Sequence, residues 1–504
     1  MSQVEAKVAP NTYGNLTVLR HSGLFGLKAG PTIIALILIL FMIVLIAQQK
    51  LLEAGLLFLV GGSVAAVGLI PGRQGRNLYG RLQLRLGQFM KEKKKQHLYI
   101  AGPTGAGTPD GAFRLPGLMA RSELTEQQDS YGRPFGLIRV SGRGVHHYSV
   151  VVEAHPDGES LVDHDEVENR VAKWAAWLSE CSMDDSIRGA SVTIESAPDS
   201  GLRLERLLDS HGRDDAPAFA KEVVNEIRDN YRTGAPELTG RITITFDGRR
   251  LDGKAGDRGT AEMAEEIGNK LPGILAGLGG TGAGGVMLCT AQQITDNTRV
   301  AYDPTTAATV EELQESGGTG LVWEEAGPSF SVDEFDRYRH DRAVSRSWTM
   351  YEGPRGMFTS NCLRRLMEPS TEALRKRVTL LYRPIPVDRA TAVVDREQRD
   401  STFAGSQTRV SQRAQIRRAA AQKSAQEEAL GAGLTRFGLI VTITVRDQDE
   451  LARWDKTIPG LVSGARLRMR PALGNQAVTF QAGLPLGVVL PDHMVVRTGL
   501  QGFF

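Results

Sequence analysis

Two stretches near the start of this 504-residue chain constrain its fold more than anything else in it. Between Lys28 and Lys50 stand 21 residues without a charge, including TIIALILILFMIVLIA at 32–47. Between Glu53 and Arg73 stand 19 more. A helix needs roughly 20 apolar residues to cross a hydrocarbon core, and in lipid a single segment satisfies its backbone only as a helix. The link between the runs has room for a turn and nothing more. The expectation is a two-helix transmembrane hairpin over 30–71, preceded by a cytosolic segment 1–29. A second span follows the first at once with no cleavage motif between them, which argues against a signal peptide. Lys7, Arg20 and Lys28 precede the hairpin, and Arg73, Arg76, Arg81, Arg85, Lys91, Lys93, Lys94 and Lys95 follow it. The turn carries Lys50 beside Glu53. Basic residues mark the inner side, so both termini are expected in the cytoplasm and the hairpin in the inner (cell) membrane. Gly61, Gly62, Ala65, Ala66 and Gly68 give the second span a small-residue face for close packing, within the hairpin or against other membrane subunits.

The rest of the chain reads as globular. Basic residues number 60 against 58 acidic, a net charge of +2, which excludes a wholly nucleic-acid-coating protein. The three cysteines lie far apart, which excludes a disulfide scaffold and a cysteine-type zinc site. Residues 72–97 form a basic stretch with few aromatics, read as a juxtamembrane helix drawn to anionic lipid head groups. The Gly- and Pro-rich stretch 98–130 reads as a linker.

Two further units follow, 131–325 and 326–504, each mixing helices and strands. YGRPFGLIRV and HHYSVVVE look like a strand pair. Val167, Val171, Trp174, Ala175 and Leu178 share one helical face. SVTIES and RITITF alternate as strands. Residues 335–351, 375–383, 465–470 and 476–482 read as strands, 447–456 as a helix and 409–430 as a long Arg-rich helix. In FGLIVTITV the odd positions Phe437, Leu439, Val441, Ile443 and Val445 are all apolar or aromatic. The fold class is therefore α+β: a transmembrane hairpin followed by mixed cytosolic domains.

Chemistry is harder to find. GLGGTG at 277–282 matches a dinucleotide pattern but follows a helix instead of a strand, and no Gly-Lys-Ser/Thr occurs in the chain. His146 and His147 fall on opposite faces of a strand. The acids of VDHDEVE at 162–168, and Asp447, Asp449 and Glu450, sit where helix starts favour negative charge. No catalytic set is recognised, and neither a cofactor nor a metal is expected. Arg409, Arg413 and Arg417 share a helix face, for which a solvated surface is the commoner explanation than DNA binding.

The last third carries a resemblance. EGPRGMFTSNCLRRLM (352–367) is followed by KRVTLLYRPIP (376–386), GLTRFGLIVTITVRDQDEL (433–451) and FQAGLPLGV (480–488). This order resembles the amino-terminal, non-ATPase domain of the large ATPases that energise conjugation and type IV secretion. The matching positions are Arg377, Tyr382, Arg383 and Pro384, then Leu484, Pro485, Leu486 and Gly487. Those ATPases continue into a motor domain whose Walker motifs this sequence lacks, and the front end of the chain is similar to the small membrane-hairpin subunit that sits beside such ATPases. The resemblance implies a non-catalytic inner-membrane scaffold docking a separate ATPase, as in conjugation-like gene sets of actinobacteria, with Arg377, Tyr382, Arg383, Pro384, Leu484 and Pro485 as docking candidates. A second resemblance, to the membrane-anchored E component of type VII secretion systems, rests on the two spans and on RPFGLIR (133–139). A membrane-anchored enzyme is the remaining alternative.

Overall fold

The computed structural model describes residues 13, 29–69, 75–76, 78–103, 105, 113–142, 144–158, 162–213, 215–231, 236–250, 256–354, 357–386, 390–392, 395, 422 and 433–494, with the side chains of 29–35, 60, 62, 64–69, 79, 203, 231 and 315 excepted. The Arg-rich segment 409–430, with Arg409, Arg413 and Arg417, falls outside these residues apart from 422.

Helices α1 (Ala29–Ala47) and α2 (Leu51–Leu69) form a hairpin about a tight turn, with Gln49 in the left-handed region. Gly61 lies against Leu38 of α1, so this small residue serves packing within the hairpin. The side chains of Gly62, Ala65, Ala66 and Gly68 lie outside the description. Among the described residues no helix is long and apolar enough to cross a membrane. The expectation of two spans, and with it the inner-membrane location with both termini cytoplasmic, is corrected accordingly.

α3 (Leu78–Lys93) leads into β1 (Leu98–Ile100) and β2 (Ser122–Gln128). Both strands lie in the stretch expected to be a linker. They belong instead to the two ends of one sheet, because β1 pairs with β8 (Phe330–Asp333) and β2 with β3 (Pro134–Gly142). The first half of the sheet continues with β4 (Val145–His155), β5 (Ile187–Pro198), β6 (Pro236–Asp247) and β7 (Gly285–Leu288). The second half holds β9 (Tyr338–His340), β10 (Ala343–Glu352), β11 (Arg375–Pro384), β12 (Thr435–Val445) and β13 (Arg468–Pro471). All 13 strands share one antiparallel sheet of order β1-β8-β9-β10-β12-β11-β5-β6-β4-β3-β2, with β13 added to β10 and β7 to β4. The α+β class therefore holds for the described chain. The sheet runs without a break through the 325/326 boundary.

The strand order is a palindrome. β3, β4, β6 and β5 on one side of the centre mirror β9, β10, β12 and β11 on the other, and β7 on β4 mirrors β13 on β10. Individual bonds repeat as well. Ser149 bonds Thr245 as Ser345 bonds Thr444. Cys289 N donates to Val151 O as Ala472 N donates to Ser347 O. The chain folds as two copies of one unit, related by a pseudo-twofold axis where β5 meets β11 and Thr193 faces Thr379.

Helices cover both faces. On one face α4 (His164–Met183) and α7 (Thr260–Gly277) close a core with Phe135, Tyr148, Val150, Ile244 and Phe246. On the same face of the second unit, α10 (Arg364–Met367) and α11 (Leu451–Leu461) cover Trp348, Val441 and Ile443. The opposite face is covered by α8 (Ala291–Tyr302) and α12 (Gln476–Ala482) around Phe480 and Tyr302. Residues 476–482 were expected as a strand. Their apolar residues are too few for periodicity to separate strand from helix, and they fold as a buried helical turn. The 335–351 stretch also divides, turning at Asp341 (φ 41°) into the β9–β10 hairpin.

Candidate functional site

The pseudo-twofold seam gathers the most concentrated buried polar chemistry. Alternate residues of β5 and β11 face α8 and α12, so the seam presents Thr193 and Glu195 beside Arg375, Arg377 and Thr379. Glu195 is buried and accepts from Arg377 Nε at 2.7 Å, with a second bond from Arg375. Burial alone would raise the Glu195 pKa, but Arg377, Arg375 and Arg241 together hold it far below the ordinary carboxylate range. Burial lowers Arg377 in turn, against the pull of Glu195. The Arg377 guanidinium also stacks over the Phe480 ring at 5.7 Å. Arg241 reaches Asn297 on α8 at 3.1 Å, tying the cluster to the covering helix.

Beside it runs a chain of hydroxyls. Burial lowers the His340 pKa to about 4, so the ring is neutral. Its Nδ1 faces the Tyr302 carbonyl, which can only accept, so Nδ1 carries the proton. Nε2 then accepts from Ser345 Oγ at 2.7 Å, and Ser345 accepts from Thr444 at 2.7 Å. Gln481 bonds the Tyr302 hydroxyl and the Pro116 carbonyl, joining α12 to α8.

The LPLG segment crosses this seam as a bent strap, in which Leu486 N donates to Leu484 O at 2.8 Å. Thr379 donates to Gly483 O at 2.7 Å, and Thr245 donates to Gly487 O at 3.0 Å. Each threonine has then spent its proton, so Thr193 donates to Thr379 and Ser149 to Thr245. Gly487 has φ +73°, and a Cβ there would lie 2.0 Å from Ser149 Oγ, so no side chain fits. Leu484, Leu486 and Val488 fill the core beneath α8 and α12. The strap ends in a helical turn, Leu490–His493, clamped by Asp492. Arg188 donates to Asp492 at 3.0 Å, and His147 Nε2 lies 3.3 Å away. Burial opposes ionisation of Asp492, but His147 and Arg188 bring its pKa down to about 2.

The docking candidates therefore fall inside the molecule. Arg377, Pro384 and Leu484 are buried, and Tyr382, Arg383 and Pro485 are half-buried. Tyr382 packs edge-on against Trp174 of α4 at 5.8 Å, on the face opposite Arg377. Arg383 stands opposite Arg436 in the β11–β12 ladder. These residues build the centre of the sheet and its strap instead of offering a surface.

His147 and His146 do point to opposite faces, one toward Asp492 and the other toward Asp257 at 4.0 Å. The VDHDEVE acids form the start of α4, where Glu166 pairs with Arg170 and His164 lies 3.5 Å from Glu168. GLGGTG is the turn after α7. Among the described residues no group of three or more His, Cys, Asp or Glu could hold a metal ion. Apolar surface on the second unit is sparse, since its described exposed large hydrophobics are Phe330, Met357 and Met494. The first unit carries more, on the hairpin of α5 (Leu202–His211) and α6 (Ala218–Tyr231) inserted between β5 and β6.

The chain matches no known protein family, and no curated protein matches it.

Proposed function

We propose that this chain is a non-catalytic platform on which a separate ATPase of a conjugation or type IV secretion machine docks. The observation that carries this reading is where the resembling segments fall. KRVTLLYRP is β11 at the seam, GLIVTITV is β12 beside it, and LPLG is the strap that crosses both units. They form one continuous structural spine, as segments retained for a shared architecture would.

The docking element is the α5–α6 hairpin. Val224 and Ile227 are half-buried, whereas Phe219, Val223 and Leu207 remain exposed, Phe219 at 76 %. Exposed apolar side chains grouped on a projecting hairpin suit a partner surface. A tagged full-length chain should recover a RecA-type ATPase from its host's detergent extract, identified by mass spectrometry. Phe219→Glu with Val223→Glu should reduce that recovery at least tenfold without changing the circular dichroism. Failure to recover any such ATPase would overturn the reading. Undiminished recovery by the double variant would move the docking site elsewhere.

A further inference from the structure

We propose that α3 is an interfacial helix that lies on an anionic lipid surface. One edge of α3 is fixed to the sheet. Gln88, buried, donates to the Asp333 carbonyl at 2.9 Å. Lys91 bonds the Asp333 carboxylate and the Gly474 carbonyl, each at 2.8 Å. These anchors fix how the helix is rolled about its axis. What the roll leaves outward is an apolar stripe: Leu78 46 %, Leu82 56 %, Leu86 52 %, Phe89 62 % and Met90 56 % exposed. The spacing of four, four and three residues keeps them on one face. A helix whose only requirement was to cover the sheet would turn these side chains inward.

The charge around the stripe selects the occupant. Residues 73–95 hold eight basic residues and one acid, Glu92. Arg85 and Lys93 of the helix are exposed, as are Lys94 and Lys95 in the turn that follows it. A second copy of this chain would bring two such basic segments face to face, which like charges oppose. An anionic bilayer interface takes both features at once: the apolar side chains sink to the level of the acyl boundary, and the basic ones meet the head groups. The helix packed next to it, α2, also exposes Leu52 and Leu56. On this reading α3 lies along the lipid surface and does not cross it.

The test uses the full-length chain with Phe89→Trp, diluted from detergent into phosphatidylcholine vesicles with or without phosphatidylglycerol, one set carrying brominated acyl chains. The expected result is a blue-shifted emission, absent from the parent chain, that brominated lipid quenches and phosphatidylglycerol enhances. Changing Arg85, Lys93, Lys94 and Lys95 to Gln should weaken that enhancement by about fivefold per charge removed, and added salt should act in the same direction. Emission that lipid leaves unquenched would overturn the proposal. So would quenching indifferent to phosphatidylglycerol, since the basic residues would then recognise nothing. A blue shift that grows with protein concentration in the absence of lipid would assign the stripe to a second copy instead.

Discussion

Arg377 carries its charge to a place where only 2 % of its surface meets water, and it does so because Glu195 is waiting there. A buried ion pair adds little over a well-packed apolar pair, but removing one partner strands the other. Glu195→Gln should therefore lower the stability by about 3–5 kcal/mol in urea unfolding, whereas replacing Glu195 and Arg377 together by Met should recover much of that loss. His340 makes a different prediction. Its folded pKa of about 4 lies below the 6.5 of an exposed histidine, so between those values the unfolded chain binds the proton and the folded chain does not. Stability should be complete above pH 6.5 and fall as the pH drops toward 4, by roughly 3 kcal/mol from this residue. His493, also lowered to about 4 by burial, acts in the same window. Stability measured against pH in His340→Gln should show a shallower slope there, with a remainder from His493. An unchanged slope would mean that His340 is protonated in the fold.

At the scale of elements the strap stands out, because it is not in a ladder and is still fixed by hydroxyls. Thr379→Val and Thr245→Val each remove one donor to the strap and leave a buried carbonyl unpaired, costing about 1–3 kcal/mol apiece. Together they should accelerate hydrogen exchange at 484–488 well beyond either alone, since each still holds the strap when the other is gone. Much of the scaffold around the strap was legible in the sequence. β12 announced itself by apolar residues at every odd position, and the starts of α4 and α11 by their acids. The strap was not legible, because a Leu-Pro-Leu-Gly run carries no period, and its role depends on threonines more than a hundred residues away. The duplication had a signal that alternation alone did not expose. Ile242-Thr243-Ile244-Thr245-Phe246 and Val441-Thr442-Ile443-Thr444-Val445 are the same strand written twice, as are Val192-Thr193 and Val378-Thr379. A comparison of the chain with itself would have found it. The docking candidates came from a resembling motif, and a motif's position in sequence says nothing about exposure: Arg377 is among the largest fully buried side chains.

For the molecule as a whole, one continuous sheet runs through both repeats. β5 and β11 pair along seven residue positions, and the strap from the second unit lies against Thr245 and Ser149 of the first. Heating should therefore unfold the sheet in a single calorimetric transition, with agreement between calorimetric and van't Hoff enthalpies. Two resolved transitions would show that the halves hold separate cores. The same crossing has a consequence during synthesis. Thr245 leaves the ribosome long before Gly487, and at 5–20 residues per second the interval is on the order of ten to fifty seconds. Until β11 emerges β5 is an unpaired edge, and until the strap emerges the hydroxyl-lined face of the first repeat stays open. The nascent chain therefore has to be kept from pairing with its neighbours on the same message until its own second half arrives.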